Sequence, residues 1–184
     1  MALCLGPDLG RDALAATRRA LGPAARGLRL PREGGLHLTL SFLGDVDRDR
    51  RASLEALLAA LLGGARAPRL ELAGAGAFPA GRPGRERVLW VGVREVGAGG
   101  RLEGIHGRVL EAVGRAGLAG PDAGRFHPHV TVGRPRRGTR VPSSFYELGF
   151  SRPWSPREVT LVRSLRGNGA RRYEPAASFA LGRS

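Results

Sequence analysis

Two short histidine motifs hold the residues of this sequence best suited to chemistry. His37 and Thr39 lie in LHLTLSFLG, and His129 and Thr131 lie in FHPHVTVGR, about half a chain length away. In each motif the His precedes the Thr by two residues inside an alternating apolar run, which is typical of a β-strand. Because residues i and i+2 of a strand point to one face, each His shares a face with its Thr, opposite the apolar side chains.

Two imidazoles and two hydroxyls would suit phosphodiester chemistry if both strands line one cleft. Attack on phosphorus needs a base that takes the proton of the nucleophile and an acid that protonates the leaving oxygen. Histidine serves either role near neutral pH, because its ordinary pKa is about 6.5. The hydroxyls can donate hydrogen bonds to the non-bridging phosphate oxygens. We therefore predict His37 and His129 as an acid–base pair, with Thr39 and Thr131 as phosphate ligands.

A zinc site and an ordinary polar strand face are the alternatives for these motifs. Zinc sites usually have three or four protein ligands, and no nearby Asp, Glu or Cys shares the two His–Thr faces. A polar outer face explains a single His–x–Thr tripeptide well, but a second copy in a matching strand favours a shared site. We expect neither a metal nor a cofactor.

Strands and helices alternate around the two motifs. Helical spacing predicts helices over residues 8–21, 47–62 and 102–116. Strands are predicted over 3–5, 27–30, 36–44, a segment ending at 78, 87–93, 126–134, 145–150, 158–165 and 173–181. The two similar motifs, half a chain apart, indicate two related lobes. We expect residues 1–184 to form a single catalytic domain made of these lobes.

Composition favours a globular protein that binds a polyanion. Apolar residues make up 42% of the 184 residues, and no apolar run approaches the roughly 18 residues of a membrane helix. The net charge of +14 favours a phosphate-bearing partner, although all 30 basic residues are Arg, which a genome rich in G and C explains equally well. A single cysteine and an N-terminus without a signal-peptide pattern lead us to expect a cytoplasmic protein.

The motifs resemble those of the two-histidine phosphoesterase superfamily, and within it the RNA 2′,3′-cyclic phosphodiesterases, also called 2′-5′ RNA ligases. The resemblance covers nearly the whole chain. Its strongest parts are the two histidine motifs, and three further segments follow in the same order: GAFP at 76–79, RVLWVGV at 87–93 and VTLVRSLRGNGARRY at 159–173.

The resemblance implies an α+β, bilobal fold with a pseudo-twofold axis, in which two antiparallel sheets line a central cleft and the helices lie outside. It implies catalytic roles for His37 and His129 and phosphate contacts for Thr39, Thr131 and Arg134. Strict alternation would place Arg134 on the face opposite His129, so we predict that the strand ends or bulges by Gly133.

Other residues are candidates for roles beside the two motifs. The run RPRRGTR supplies Arg136, Arg137 and Arg140 as candidate RNA contacts, because clustered guanidinium groups follow a phosphate backbone. His127 is interpreted as a partly exposed neighbour of His129, and His106 as a surface residue. Trp90 and Cys4 are interpreted as packing residues, with Cys4 standing where the family usually carries an aromatic residue that stacks on a base.

We therefore predict a monomeric RNA 2′,3′-cyclic 3′-phosphodiesterase that acts on RNA ending in a 2′,3′-cyclic phosphate. By resemblance, the bond to O3′ breaks and a 2′-phosphate remains, with 2′-5′ ligation as a minor activity. We assign His37 as the acid and His129 as the base, although the similar motifs also allow the reverse. The alternatives are a superfamily member that acts on a small cyclic phosphate and an RNA-binding protein without turnover.

Overall fold

The computed structural model describes residues 1–97, 99–118, 126–165 and 172–183 of the chain. In these ranges the helices are α1 (Pro7–Leu21), α2 (Arg48–Leu62), α3 (Arg101–Arg115) and α4 (Ser143–Tyr146). The strands are β1 (Ala2–Cys4), β2 (Leu28–Arg29), β3 (His37–Thr39), β4 (Leu70–Phe78), β5 (Val88–Glu95), β6 (His129–Pro135), β7 (Ser151–Trp154), β8 (Glu158–Leu165) and β9 (Arg172–Ala180).

The three long helices begin and end at local sequence signals. Pro7 is the first residue of α1. Proline is favoured there because the backbone N–H of a first helical residue makes no hydrogen bond within the helix. Gly22 follows the last turn of α1 with a φ of 52°, a backbone conformation that favours glycine. The carboxylate of Asp47 caps α2 by accepting a hydrogen bond of 2.8 Å from the backbone N–H of Arg50. All three predicted helices are confirmed to within one residue at each end.

The described strands pair in an antiparallel sense along one sheet path, β7-β4-β5-β6-β3-β1-β8-β9, and β2 pairs with β6 beside this path. The two central strands, β6 and β3, begin at His129 and His37 and are joined through the pair Leu38–Val130. Four strands of the path lie on each side of this junction. The predicted α+β class with antiparallel strands is confirmed, while a single catalytic domain of two similar lobes stays a prediction.

The core lies on one face of this sheet, under the helices. Leu38 and Val130 are fully buried there. Helix α1 packs with α4 against strands of the β7-β4-β5-β6 half, whereas α2 packs with α3 and against β9 of the other half. Burying a Leu or Val side chain stabilises a fold by about 1.5–3 kcal/mol. The apolar residues of the motifs therefore lie on the face of the sheet that the helices cover. Their histidines therefore point to the other face.

The strand predicted over residues 145–150 is wrong. Residues Ser143–Tyr146 form the short helix α4, and the strand comes later, at Ser151–Trp154. Phe145 is fully buried, and the Ser144 hydroxyl donates to the Ala20 carbonyl at 2.7 Å. The local apolar pattern fits a strand and a helix equally well. These contacts with α1 stabilise the helical turn. The strand predicted over 36–44 is also too long, because β3 ends at Thr39.

Candidate active site

The two His–x–Thr motifs lie side by side and run in opposite directions. Leu38 pairs with Val130 in the antiparallel ladder between β3 and β6. One residue to either side, this register sets His37 opposite Thr131 and Thr39 opposite His129. The four side chains therefore form a diagonal pattern with approximate twofold symmetry. Diagonal neighbours of this kind are about 7–8 Å apart between their Cα atoms, so the two imidazoles can approach one phosphate group from opposite sides.

Both histidine rings make the same hydrogen bond to the backbone. Nδ1 of His37 lies 2.8 Å from the carbonyl oxygen of Gly35, and Nδ1 of His129 lies 2.7 Å from the carbonyl oxygen of His127. Because a carbonyl only accepts, Nδ1 is the protonated nitrogen in each neutral ring. Nε2 is thereby the nitrogen without a proton in each neutral ring, and it is the ring atom available for proton transfer.

Burial lowers the pKa of both imidazoles below the ordinary value of 6.5. For His37, the hydrogen bond to Gly35 opposes this effect, while the positive charge of His129 lowers the pKa further. For His129, the hydrogen bond to the His127 carbonyl opposes it, while the charges of His127 and Arg134 add to it. Burial is thus the main cause of the lowered pKa of both rings, and a charged His129 disfavours protonation of His37.

A bulge in β6 brings Arg134 to the histidine face. Thr131 pairs with Trp90 and Gly133 pairs with Leu89, so Val132 is an extra residue in the ladder between β5 and β6. The alternation therefore shifts by one residue, and Arg134 lies on the same face as Thr131. The strand irregularity that we predict at Gly133 is confirmed as this bulge. Burial lowers the pKa of His129, and the charge of Arg134 adds to this effect.

Arg29 is a further candidate that the sequence analysis missed. It pairs directly with Arg134 across the β2–β6 ladder, and both side chains are exposed. Two like charges directly opposite one another destabilise a sheet. Neither guanidinium is paired with a carboxylate within the described ranges. An anion bound between the two guanidinium groups would offset their repulsion. In the sequence, the alternation Leu28–Arg29–Leu30 was the signal that could have placed Arg29 on the polar face of a strand.

The arginine run after β6 lies on the surface. Arg136, Arg137 and Arg140 are exposed. The backbone N–H of Arg136 donates to the carbonyl of Gly27 at 2.9 Å, and its guanidinium donates to the carbonyl of Arg26 at 3.3 Å. The run is therefore fixed to the segment before β2, close to the Arg29–Arg134 pair. A role in RNA binding stays a prediction for all three arginines.

The sequence model of the 2′-5′ RNA ligase superfamily matches residues 7–168, a span that includes both histidine motifs and the bulged strand. The chain belongs to the 2′-5′ RNA ligase superfamily.

Several relatives within the superfamily support this assignment. The chain is 34% identical to the RNA 2′,3′-cyclic phosphodiesterase of Aeropyrum pernix over 71% of its own length and 70% of the relative. It is 31% identical to that of Escherichia coli over 85% of both chains. A Thermus thermophilus crystal structure superposes with a TM-score of 0.75 at 28% identity, covering 98% of this chain and 95% of the other.

A pocket lies beside His37 in this member of the superfamily. It has a volume of about 200 Å³ and is lined by residues that include Cys4, Glu158, Thr160 and Tyr173. Cys4 pairs with His37 and is exposed, so its interpretation as a buried packing residue is wrong. The Tyr173 ring meets His37 edge-on with centroids 4.8 Å apart. An aromatic side chain from β9 thus lies beside the position where the resemblance leads us to expect one on β1.

Three aromatic rings adjoin His129 on the other half of the sheet. Phe78, Trp90 and His127 are here called the aromatic shelf. The centroids of Trp90 and His127 are 4.9 Å apart, and Phe78 lies 5.5 Å from both. The Phe78 ring also meets the His129 ring edge-on at 5.1 Å. Trp90 is half-buried on the histidine face, so its interpretation as a core residue is wrong.

His106 is half-buried, and its interpretation as a surface residue is wrong. Its ring stacks on Phe126 with a centroid distance of 3.9 Å and an interplanar angle of 8°. Burial lowers the pKa of His106, and a hydrogen bond from its ring to the Leu40 backbone opposes this shift. His106 of α3 therefore contacts the residue that follows β3, Leu40, and a residue that precedes β6, Phe126.

The described part of this superfamily member contains neither a membrane-spanning helix nor a cluster of metal ligands. No helix within those ranges is long and apolar enough to cross a bilayer. Within the same ranges, no three His, Cys, Asp or Glu side chains converge in a way that could hold a metal ion. Residues 166–171 of the matched C-terminal motif lie outside the described residues.

Proposed function

We propose that this protein is an RNA 2′,3′-cyclic phosphodiesterase that opens terminal 2′,3′-cyclic phosphates by acid–base catalysis. The observation that carries the proposal is the pseudo-twofold arrangement of His37, Thr39, His129 and Thr131 around the Leu38–Val130 pair. Both imidazoles hold their Nδ1 proton on a backbone carbonyl, which leaves both Nε2 atoms for proton transfer. The names of the Aeropyrum and Escherichia relatives support the same reaction.

In the proposed reaction, one histidine acts on each side of the phosphorus atom. Nε2 of neutral His129 accepts a proton from water as the water oxygen bonds to phosphorus. The bond from phosphorus to O3′ breaks, and the protonated His37 gives its Nε2 proton to O3′. The products are a 3′-hydroxyl and a 2′-phosphate. Burial, with the charges of His127 and Arg134 added to it, lowers the pKa of His129, so that its ring is neutral at neutral pH as a base requires.

The remaining polar groups are assigned to the phosphate. The hydroxyls of Thr39 and Thr131 donate hydrogen bonds to the non-bridging oxygens, and the Arg134 guanidinium balances their negative charge. Arg29, paired with Arg134, adds a second positive charge beside it. Thr39 lies on β3, Thr131 and Arg134 lie on β6, and Arg29 lies on β2, so the sheet brings all four side chains to the proposed site.

We infer a monomeric, cytoplasmic enzyme that takes its substrate from RNA ends and uses no metal or other cofactor. The same site can join a cyclic phosphate to a 5′-hydroxyl in the reverse sense, giving a 2′-5′ linkage as a minor activity. The metal-free mechanism predicts full turnover in excess EDTA. Loss of turnover in EDTA with recovery on adding a divalent cation would overturn this part of the proposal.

A product assay tests the proposed reaction. The purified protein is incubated with an oligoribonucleotide ending in a 2′,3′-cyclic phosphate and with a 2′,3′-cyclic mononucleotide. We expect both to be opened and to carry a 2′-phosphate. A 3′-phosphate product would contradict the assigned bond cleavage. Binding without turnover would favour the RNA-binding alternative, and turnover confined to small cyclic phosphates would favour another branch of the superfamily.

A further inference from the structure

We propose that the aromatic shelf of Phe78, Trp90 and His127 binds a second nucleobase, beyond the one whose ribose carries the cyclic phosphate. The inference rests on the proposed function and specifies how that site takes up RNA. It assigns the two halves of the sheet to two nucleosides, one on either side of the histidine pair.

The shelf has a rigid base. Gly76 lies directly opposite Trp90 in the β4–β5 ladder. A Cβ atom at Gly76 would come within 2.2 Å of the indole carbon Cζ2 and within 2.4 Å of Cη2. The indole therefore lies flat on the backbone of β4, in space that any other residue type would fill. Trp90 is fixed by this contact, and it supports the rings placed above it.

His127 forms the exposed part of the shelf. Its ring is held between Trp90 and Phe78, which it meets at interplanar angles of 66° and 76°. The residue itself is exposed. An imidazole supported on two sides presents a surface on which an unpaired base can stack, and histidine is among the side chains that stack on single-stranded RNA.

The hairpin next to the shelf carries positive charge. The backbone N–H of Arg87 donates to the carbonyl of Phe78 at 2.7 Å, which closes the β4–β5 turn at the edge of the shelf. Arg82, Arg85 and Arg87 are exposed, and within the described ranges none is in an ion pair with a carboxylate. Aromatic surfaces next to unpaired cations are the usual arrangement for single-stranded nucleic acid, in which bases stack and phosphates meet arginines.

The shelf lies on the side of the histidines opposite the Cys4–Tyr173 pocket. Trp90 neighbours Thr131 on β6, whereas Cys4 neighbours His37 on β1. With the phosphate between the histidines and its own nucleoside in the pocket, the shelf is left for another nucleoside. That nucleoside is either the residue 5′ to the cyclic phosphate or the 5′-hydroxyl nucleoside of an acceptor strand.

The test compares His127→Ala with the wild-type protein on two substrates. These are a cyclic mononucleotide and a dinucleotide that ends in a 2′,3′-cyclic phosphate. Stacking of one base on an aromatic side chain contributes about 1–3 kcal/mol, so His127→Ala should raise KM for the dinucleotide about fivefold or more. Because the charge of His127 also acts on the pKa of His129, any change in kcat should be the same for both substrates, whereas KM for the mononucleotide should stay within twofold. His127→Phe, which keeps a flat ring, should restore the dinucleotide KM, whereas His127→Gln should not.

An acceptor assay separates the two sources of the second base. If the shelf takes an acceptor strand, a dinucleoside with a free 5′-hydroxyl should inhibit hydrolysis of the cyclic mononucleotide, and His127→Ala should weaken this inhibition about fivefold or more. The dinucleotide KM would then be unchanged. Either pattern supports a second-base site. An equal rise of KM for both substrates, or no effect of His127→Ala on either KM or the inhibition, would overturn it.

Wild-type turnover separates this inference from the proposed function. Absence of hydrolysis of both the cyclic mononucleotide and the dinucleotide by the wild-type protein would contradict the proposed function itself. Hydrolysis of the mononucleotide without any dependence on the shelf would contradict the second-base site alone.

Discussion

At the scale of single residues, the two imidazoles are oriented in the same way. Each Nδ1 proton is held by the carbonyl two residues earlier in its own chain segment, at Gly35 and at His127. The sequence could predict the two His–x–Thr faces, because alternation along a strand is a local property. It could not predict the partners from other segments. Tyr173 contacts His37 because β9 pairs with β8 and β8 pairs with β1. No local sequence pattern predicts this contact.

The lowered pKa values of His37 and His129 set the expected pH dependence. One ring must be protonated and the other neutral, so kcat/KM should follow a bell-shaped curve. Because burial lowers both pKa values below 6.5 in the free protein, its maximum should lie on the acidic side of neutrality. A bound phosphate anion stabilises imidazolium, so the maximum of kcat should lie at higher pH than that of kcat/KM. Steady-state rates between pH 4 and 9 provide the measurement.

A curve that is flat over this range, with chemistry limiting the rate, would contradict the two-histidine mechanism. Arg134→Met should raise the pKa of His129, because it removes a positive charge that disfavours imidazolium. One limb of the kcat/KM profile should then move to higher pH. A profile that keeps both limbs in place would argue against the proximity of Arg134 to the histidine.

At the scale of elements, β-strand irregularities decide which side chains reach the site. The long helices were predictable, since their caps and apolar spacing are local. The bulge in β6 was foreseen at Gly133 because Arg134 otherwise points away, whereas the helical turn at Ser143–Tyr146 was not. A short apolar run fits a strand or a helix equally well, and here the burial of Phe145 beside α1 decides between them.

Gly76 offers a test of the packing between β4 and β5. Gly76→Ala should lower the free energy of unfolding by about 1–3 kcal/mol, the usual cost of overpacking, because its Cβ would overlap the indole of Trp90. Gly104→Ala is the matched control, since Gly104 is exposed in α3 with nothing within 4 Å. The control should be neutral or stabilising by up to about 1 kcal/mol. Urea denaturation of both variants gives the comparison, and equal effects would mean that the indole does not depend on Gly76.

At the scale of the whole molecule, the helices cover one face of the sheet and leave the other to the histidines and arginines. The two halves of the sheet meet through a single described pair, Leu38–Val130. Sequence similarity between the motifs indicated two related halves, but it could not show that their central strands pair with each other. Such a pairing depends on the packing of residues half a chain apart.

The distribution of arginines over the molecule predicts how RNA binding responds to salt. If the run after β6 contacts the RNA backbone, Arg136→Ala with Arg137→Ala should reduce the slope of log affinity against log salt by about 0.7 per lost phosphate contact. KM for an oligonucleotide should rise, and KM for a cyclic mononucleotide should not. Arg18→Ala with Arg48→Ala, on helices α1 and α2, is the control of equal charge. Equal slopes in the two double variants would mean that the salt dependence of RNA binding comes from the net charge of +14 and not from contacts of the run after β6.

The most direct test of the central claim is the rate of cyclic phosphate hydrolysis by His37→Ala, His129→Ala and the double variant. Each single variant should lose a factor of ~100 or more in kcat, the usual contribution of a general acid or base. The double variant should be little worse than either one, because two residues that act in the same step are not additive. Circular dichroism of each variant verifies the fold. A folded single variant that keeps more than about a tenth of wild-type turnover would contradict the acid–base role of that histidine.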